Sequence, residues 1–315
     1  MKVLPKVALG TWSWGSGFAG GDQVFGNHLD EKSLKVVFDT AMKEGLSLWD
    51  TAAVYGMGSS ESLLGTFVRQ YPRENLVLST KFTPQIANAT ASNPVEEMLE
   101  SSCERLGTDV IDIYWIHNPT ALNQWTHHLV PLLKSGKIKR VGVSNHTLEE
   151  IKLVNSTLAK EGFAISAVQN HYSLLYRSSE DAGILEYCQK NNITFFAYMV
   201  LEQGALTGRY NTNNPLPEGS GRAATYNKLL PQLENLTNTM KEIGERKNAS
   251  VAQIAIAWAI AKGTIPIIGV TKASHVEDAA RASNLILSIE EMAKLEALAQ
   301  KAGVNTKGAW EKPMV

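Results

Sequence analysis

At 315 residues the chain is long enough for one large core, and alternating α/β barrels commonly reach this size as a single domain, here expected to span residues 1–315. Lys and Arg number 30 against 31 Asp and Glu, so a net charge of −1 favours neither a nucleic acid nor an acidic membrane face, and a small neutral or weakly charged ligand is expected. Cys103 and Cys188 lie in segments of helical period without Cys-x-x-Cys spacing, and the start Met1–Lys6 is broken by charge and proline, so the reading is a cytoplasmic, untargeted chain with no structural zinc, disulfide framework or membrane span.

Eight short apolar runs rich in β-branched and aromatic residues follow one another along the chain. The first four are Val7–Trp12, Leu46–Ala52, Leu76–Phe82 and Val110–His117. The others are Ile138–Asn145, Ala164–Asn170, Ile193–Leu201 and Thr264–Thr271. Segments of helical period lie between them. Four carry a capping residue three before Glu or Gln, at Asn93, Thr147, Ser250 and Ser274. Strand and helix alternating eight times, with strands apolar throughout, predict a parallel sheet covered by helices and closed as a (β/α)8 TIM barrel with long loops on its C-terminal face. An open doubly wound sheet is the rival. Two stretches interrupt the spacing: the glycine-rich Gly15–Phe25 after strand one, and Gly204–Lys228 after strand seven, of a length typical of lids, binding loops or disorder.

The polar residues are placed tellingly. Asp50, Lys81 and His117 each end an apolar run, and Tyr55 follows Asp50 within its loop. Strand C-termini of an α/β barrel converge on one face, so these four are expected to meet. A buried Lys or Asp is costly unless paired. Together they suit carbonyl chemistry: Lys81 lowers the phenol pKa of Tyr55, Asp50 holds Lys81, and His117 orients a substrate oxygen. No side chain supplies hydride, so a nicotinamide or flavin is required.

The stretches Leu9-Gly10-Thr11-Trp12, Trp49 to Gly56, Ser79-Thr80-Lys81 and Ile116-His117-Asn118-Pro119 make the sequence similar to the aldo-keto reductases over essentially its whole length. The resemblance implies NADP(H) as cofactor, a small-molecule carbonyl substrate and the catalytic tetrad Asp50, Tyr55, Lys81 and His117. It implies cofactor contacts from Thr11, Trp12 and Asp50, with Ser144, Asn145 and Gln169 fixing the nicotinamide carboxamide and Tyr198 as the shelf beneath the ring. Leu201, Gly204, Leu206, Thr207, Gly208 and Arg209 resemble the pyrophosphate loop. Gly269, Thr271, Lys272 and Asp278 resemble the adenosine end, with Lys272 meeting the 2′-phosphate and Ser274 opening a helix. The pair Asp278-Ala279 departs from the family's Glu-Asn, leaving adenine fewer polar contacts. Trp12, Tyr55, His117 and Asn118 are expected to form the substrate pocket, with Trp14, Trp115, Trp125 and Trp310 as further aromatic candidates.

The implied partners exclude nucleic acid and membrane, and the chain is read as a monomer or weak oligomer. Three other functions compete. A glycosidase would need a second acid besides Glu202, and strand four ends without one. A metal hydrolase would need a histidine cluster, but only His127-His128 are adjacent. A non-catalytic NADP(H)-binding redox sensor subunit is the serious alternative, and His117 is the residue that suits turnover instead.

Overall fold

A computed structural model describes residues 3–314. Eight strands form: β1 Ala8–Gly10, β2 Leu48–Asp50, β3 Val77–Phe82, β4 Ile113–Ile116, β5 Val141–Ser144, β6 Ala167–His171, β7 Thr194–Tyr198 and β8 Ile265–Gly269. Seven lie inside the runs read from sequence, and β6 extends one residue further, to His171. Each strand pairs in parallel with the next, and β8 returns to β1 with Ala8 opposite Ile267, closing the barrel.

The strands are largely buried on both faces, because each face has a core to fill. Inside the barrel Ala8, Leu48, Val77, Ile113, Trp115, Ala167 and Phe196 pack together, while a larger cluster lies between sheet and helices. Trp115 faces Gly142 across β4 and β5. A Cβ at Gly142 would fall 2.2 Å from the indole, so glycine is what admits a tryptophan to the barrel interior.

Thr147 and Ser250 open their helices with complete capping boxes, and Asn93 accepts the backbone N–H of Glu96. Ser274 does not cap. The helix Ala273–Ala282 starts earlier, with extended Lys272 at its N-cap and no side chain satisfying its first amides. His275 instead takes the Thr271 N–H on its Nδ1 at 3.3 Å.

The two interrupting stretches are ordered. Each holds a short helix, Gly21–Phe25 and Gly221–Tyr226, and the two helices pack against each other across the barrel mouth. Among the described residues no helix is long and apolar enough to cross a membrane.

Candidate active site

A cleft of about 1410 Å³ runs across the C-terminal face, larger than the several hundred Å³ one small ligand needs. Its catalytic end is built from strand ends. Lys81, wholly buried, donates from Nζ to Asp50 Oδ2 and to the Thr51 carbonyl, both at 2.6 Å. Asp50 Oδ1 accepts the Ser79 hydroxyl at 2.7 Å and the Gln169 amide at 3.2 Å. The Lys81 Nζ lies 5.1 Å from the Tyr55 ring centre, and His117 meets that ring edge-on at 5.9 Å.

Tyr55 is held by a kinked turn in which Gly56 has φ 57°. A Cβ at Gly56 would lie 2.5 Å from the Ser16 carbonyl, so the left-handed glycine lets the Tyr55 turn close onto the Gly15–Phe25 loop. Ser59 ties the two together by donating to Ser16 O at 3.0 Å.

Electrostatics assign the protonation states. Burial acts to lower Lys81, but Asp50 and Tyr55 together outweigh it and hold the ammonium above its ordinary range. Burial raises the Tyr55 phenol against the opposing pull of Lys81, with Asp50 adding to the rise. This corrects the expectation that Lys81 brings the phenol below 10: the sequence shows the cation but not the depth of the pocket. Tyr55 is therefore a neutral phenol at neutral pH, the form that gives a proton. Burial, and then repulsion from Lys81, hold His117 well below 6.5 as a neutral imidazole, with Nδ1 sharing a 2.9 Å hydrogen bond with Thr83 Oγ1.

The floor continues through Ser144, Asn145 and Gln169. Asn145 donates to the His117 carbonyl at 2.9 Å and accepts the Tyr198 hydroxyl at 2.5 Å, so its amide positions both neighbours. Gln169 donates one amide N–H to Asp50, and its carbonyl oxygen is an acceptor. Leu201, Gly204, Thr207, Arg209, Gly269, Thr271, Lys272 and Asp278 line the rest of the cleft. Thr11 and Leu206 are buried away from its wall. Gly208, with φ 72°, is required by its turn and by Val251, 2.7 Å from where a Cβ would stand. Ala279 is wholly buried in the core, and Asp278 accepts the Gln253 amide at 2.6 Å.

Of the aromatic candidates, Trp12 and Trp310 stand at the cleft. Trp12 stacks on Tyr55 at 5.8 Å, and Phe25 and Trp310 meet Trp12 edge-on at 5.1 and 5.8 Å. Trp14, Trp115 and Trp125 are core residues. Glu202, weighed as a glycosidase acid, is fully buried and bonded to His171. Sequence reasoning missed Arg222, which lines the cleft with a buried Nε that has no hydrogen-bond partner among the described residues, although the run Gly219-Ser220-Gly221-Arg222 resembles an anion loop in composition.

A closed parallel barrel whose strand ends join Asp, Tyr, Lys and His beside a long cleft defines the class of barrel oxidoreductases. The chain belongs to the aldo/keto reductase family, whose model matches residues 6–300. It is 31% identical over 318 residues to a chloroplastic pyridoxal reductase of Arabidopsis thaliana, covering 96% of this chain and 85% of that one. It is 30% identical over 267 residues to an NADP(+) aldo-keto reductase of Schizosaccharomyces pombe, covering 79% and 77%. Among solved structures it is similar to the aldo/keto reductase of Klebsiella pneumoniae in complex with NADP and acetate, at 25% identity and TM-score 0.72 over 98% of this chain and 94% of that one. The family is one of NADP-dependent oxidoreductases.

Proposed function

We propose that the whole chain works as one barrel domain that reduces aldehyde and ketone carbonyls to alcohols, and runs the reverse, with NADP(H) as cofactor and Tyr55 as general acid and base. The observation that carries this reading is Tyr55 itself: a neutral phenol set between a buried Lys81–Asp50 pair and a neutral His117. NADPH, when bound, supplies hydride to the carbonyl carbon.

The protein's residues do the rest. Tyr55 gives its hydroxyl proton to the carbonyl oxygen. Lys81 steadies the resulting phenolate, Asp50 keeps Lys81 in place, and solvent restores the proton. If Thr83 donates to Nδ1, the free Nε2–H of His117 points the carbonyl oxygen toward Tyr55. Trp12, Tyr55, His117 and Asn118 form the substrate end, an aromatic wall suited to apolar or planar aldehydes and ketones.

The residues present fit the cofactor. Ser144 and the Gln169 carbonyl suit a carboxamide, and Tyr198 supplies a flat shelf. Arg222, with its unpartnered Nε, joins Leu201, Gly204, Thr207 and Arg209 around a diphosphate. The uncapped amides of Ala273–Ala282, behind exposed Lys272, suit a 2′-phosphate. The test is a panel of carbonyl compounds with NADPH, followed at the nicotinamide absorbance band. NADPH binding without consumption of any carbonyl would overturn the reading in favour of a redox sensor.

A further inference from the structure

Behind Tyr198 lies a second group of ionisable residues that proton and hydride transfer leave unused. His171 directs Nε2 to Glu202 Oε1 at 3.0 Å and Nδ1 to the Glu311 carboxylate at 3.0 and 3.2 Å. Their exposures are 1, 0 and 6%, so no water shares these contacts freely. A neutral imidazole has one N–H and one bare nitrogen, whereas carboxylate oxygens face both nitrogens here. Only the imidazolium satisfies both. Glu202 is filled on every side: Oε1 also accepts the Thr306 hydroxyl at 2.9 Å and the Ser173 hydroxyl, and Oε2 accepts the Tyr226 hydroxyl at 2.7 Å.

These residues join three separate pieces of chain. His171 ends β6. Glu202 sits in the turn after β7, where the non-glycine residues Met199, Glu202 and Gln203 hold φ of 61°, 46° and 51°. Such a conformation persists only where surroundings over-determine it, and the contacts of Glu202 supply that restraint. Glu311 belongs to the segment after the helix Ile289–Ala302, which crosses the barrel mouth without regular secondary structure. Thr306 and Glu311 grip the same Glu202–His171 unit from two points of that segment. Trp310, next to Glu311, thereby reaches Trp12 edge-on, and Trp12 stacks on Tyr55.

We propose that Glu202, His171 and Glu311 form an ionic clamp that seats the C-terminal segment so that Trp310 walls the substrate end of the cleft, making Glu311 a positioning residue for aldehydes that carry an aromatic ring. This rests on the carbonyl-reductase reading. Trp310 meets Tyr55 only through Trp12, so the clamp is assigned to the binding of large planar substrates and not to the chemical step.

The clamp is proton-dependent. Burial lowers His171, but Glu202 and Glu311 outweigh it and raise the imidazole to about 9. The groups facing it are Glu202 and Glu311, the stacked rings of Tyr176 and Tyr198, Tyr226 through Glu202, and Lys307, whose Nζ donates to the Glu311 carbonyl. A folded value above the ordinary 6.5 means the stabilisation is full below 6.5 and is lost as pH rises through about 9.

The experiment compares 4-nitrobenzaldehyde with propanal, using NADPH and the variant Glu311→Gln. The expected result is a KM for the ring aldehyde raised about tenfold, as for loss of one aromatic contact, with its kcat and both propanal parameters within about twofold of wild type. Trp310→Ala should raise the same KM, and the double variant should be no worse than either single one. The wild-type KM for the ring aldehyde should climb as pH passes about 9, and that rise should vanish in Glu311→Gln. Should Glu311→Gln not fold, Thr306→Val, which removes only the hydroxyl grip on Glu202, carries the same test with a smaller shift in the same direction. An unchanged KM, equal changes for both aldehydes, or additive effects in the double variant would overturn the clamp while leaving the carbonyl-reductase reading intact. Wild type inactive on both aldehydes would bring down both.

Discussion

At the Tyr55 end of the cleft the charged groups are paired inside the protein, whereas toward the Lys272 end several polar groups keep bonding capacity unspent. Asp50 and Lys81 are buried and bonded to each other, and Asn145 and Gln169 use their amides to hold neighbours. Lys272 is exposed, the helix behind it is uncapped, and Arg222 has an orphaned Nε. A proton donor must hold its geometry before substrate arrives, because reorganisation during the reaction costs rate. A cofactor anchor needs no such preparation, since the ligand's own phosphates complete its hydrogen bonds. The difference predicts that substitutions at the first end cost stability or turnover, and at the second cost affinity alone.

The largest effect is expected from Lys81→Met. It leaves Asp50 as an uncompensated buried charge, which costs about 3–5 kcal/mol of stability by urea unfolding, and it removes the cation that steadies the phenolate. An unchanged unfolding midpoint would show that Asp50 is not held as a charge. Tyr55→Phe comes next: with no proton donor, turnover should fall roughly 10²-fold or more while NADPH binding stays intact. Retained turnover would pass the acid role to another group. Lys272→Ala tests the opposite end. It should weaken NADPH more than NADH by about 1–3 kcal/mol in fluorescence titration, with kcat unchanged. Equal losses for the two cofactors would mean that Lys272 does not read the 2′-phosphate, and a fall in kcat would break the contrast between the ends.

The same contrast governs what the sequence made legible. The strands could be read because short runs such as Val141–Ser144 and Ile113–Ile116 are rich in apolar and β-branched or aromatic residues, and the tetrad because each member stands at or just after a strand end, where barrel topology guarantees convergence. Those are local signals with a global consequence. The Tyr55 pKa direction was misjudged because a sequence names the neighbouring cation but not the desolvation that outweighs it. Ser274 carries the letters of a capping box, yet the chain enters the helix two residues early and leaves that residue exposed. His171 lay one residue beyond the expected end of strand six, and its partner Glu311 lies 140 positions away in a segment with no period. Nothing local announces such a contact. Arg222 is hidden for the same reason, in an insertion whose fold is set by packing against the first loop.

The smallest predicted effect sharpens the account of the adenosine end. Ala279 stands where the resemblance places the family's Asn, so the sequence suggests Ala279→Asn as the way to restore an amide. The structure reverses that expectation, since Ala279 is wholly buried against the core and an amide there meets apolar atoms. The effective position is its neighbour. Asp278 lines the cleft, and its Oδ1 accepts the Gln253 amide at 2.6 Å. Asp278→Asn keeps that acceptor, removes a negative charge from the region assigned to the phosphate and adds an N–H donor toward the base. One new neutral hydrogen bond is worth about 0.5–1.5 kcal/mol, so NADPH should bind roughly two- to tenfold more tightly. The gain should appear as a slower off-rate in stopped-flow fluorescence and, where cofactor release limits turnover, as a lower kcat. Ala279→Asn in parallel should lose stability and leave the off-rate alone. If Asp278→Asn leaves the off-rate unchanged, or Ala279→Asn slows it, the adenine lies elsewhere than beside Asp278.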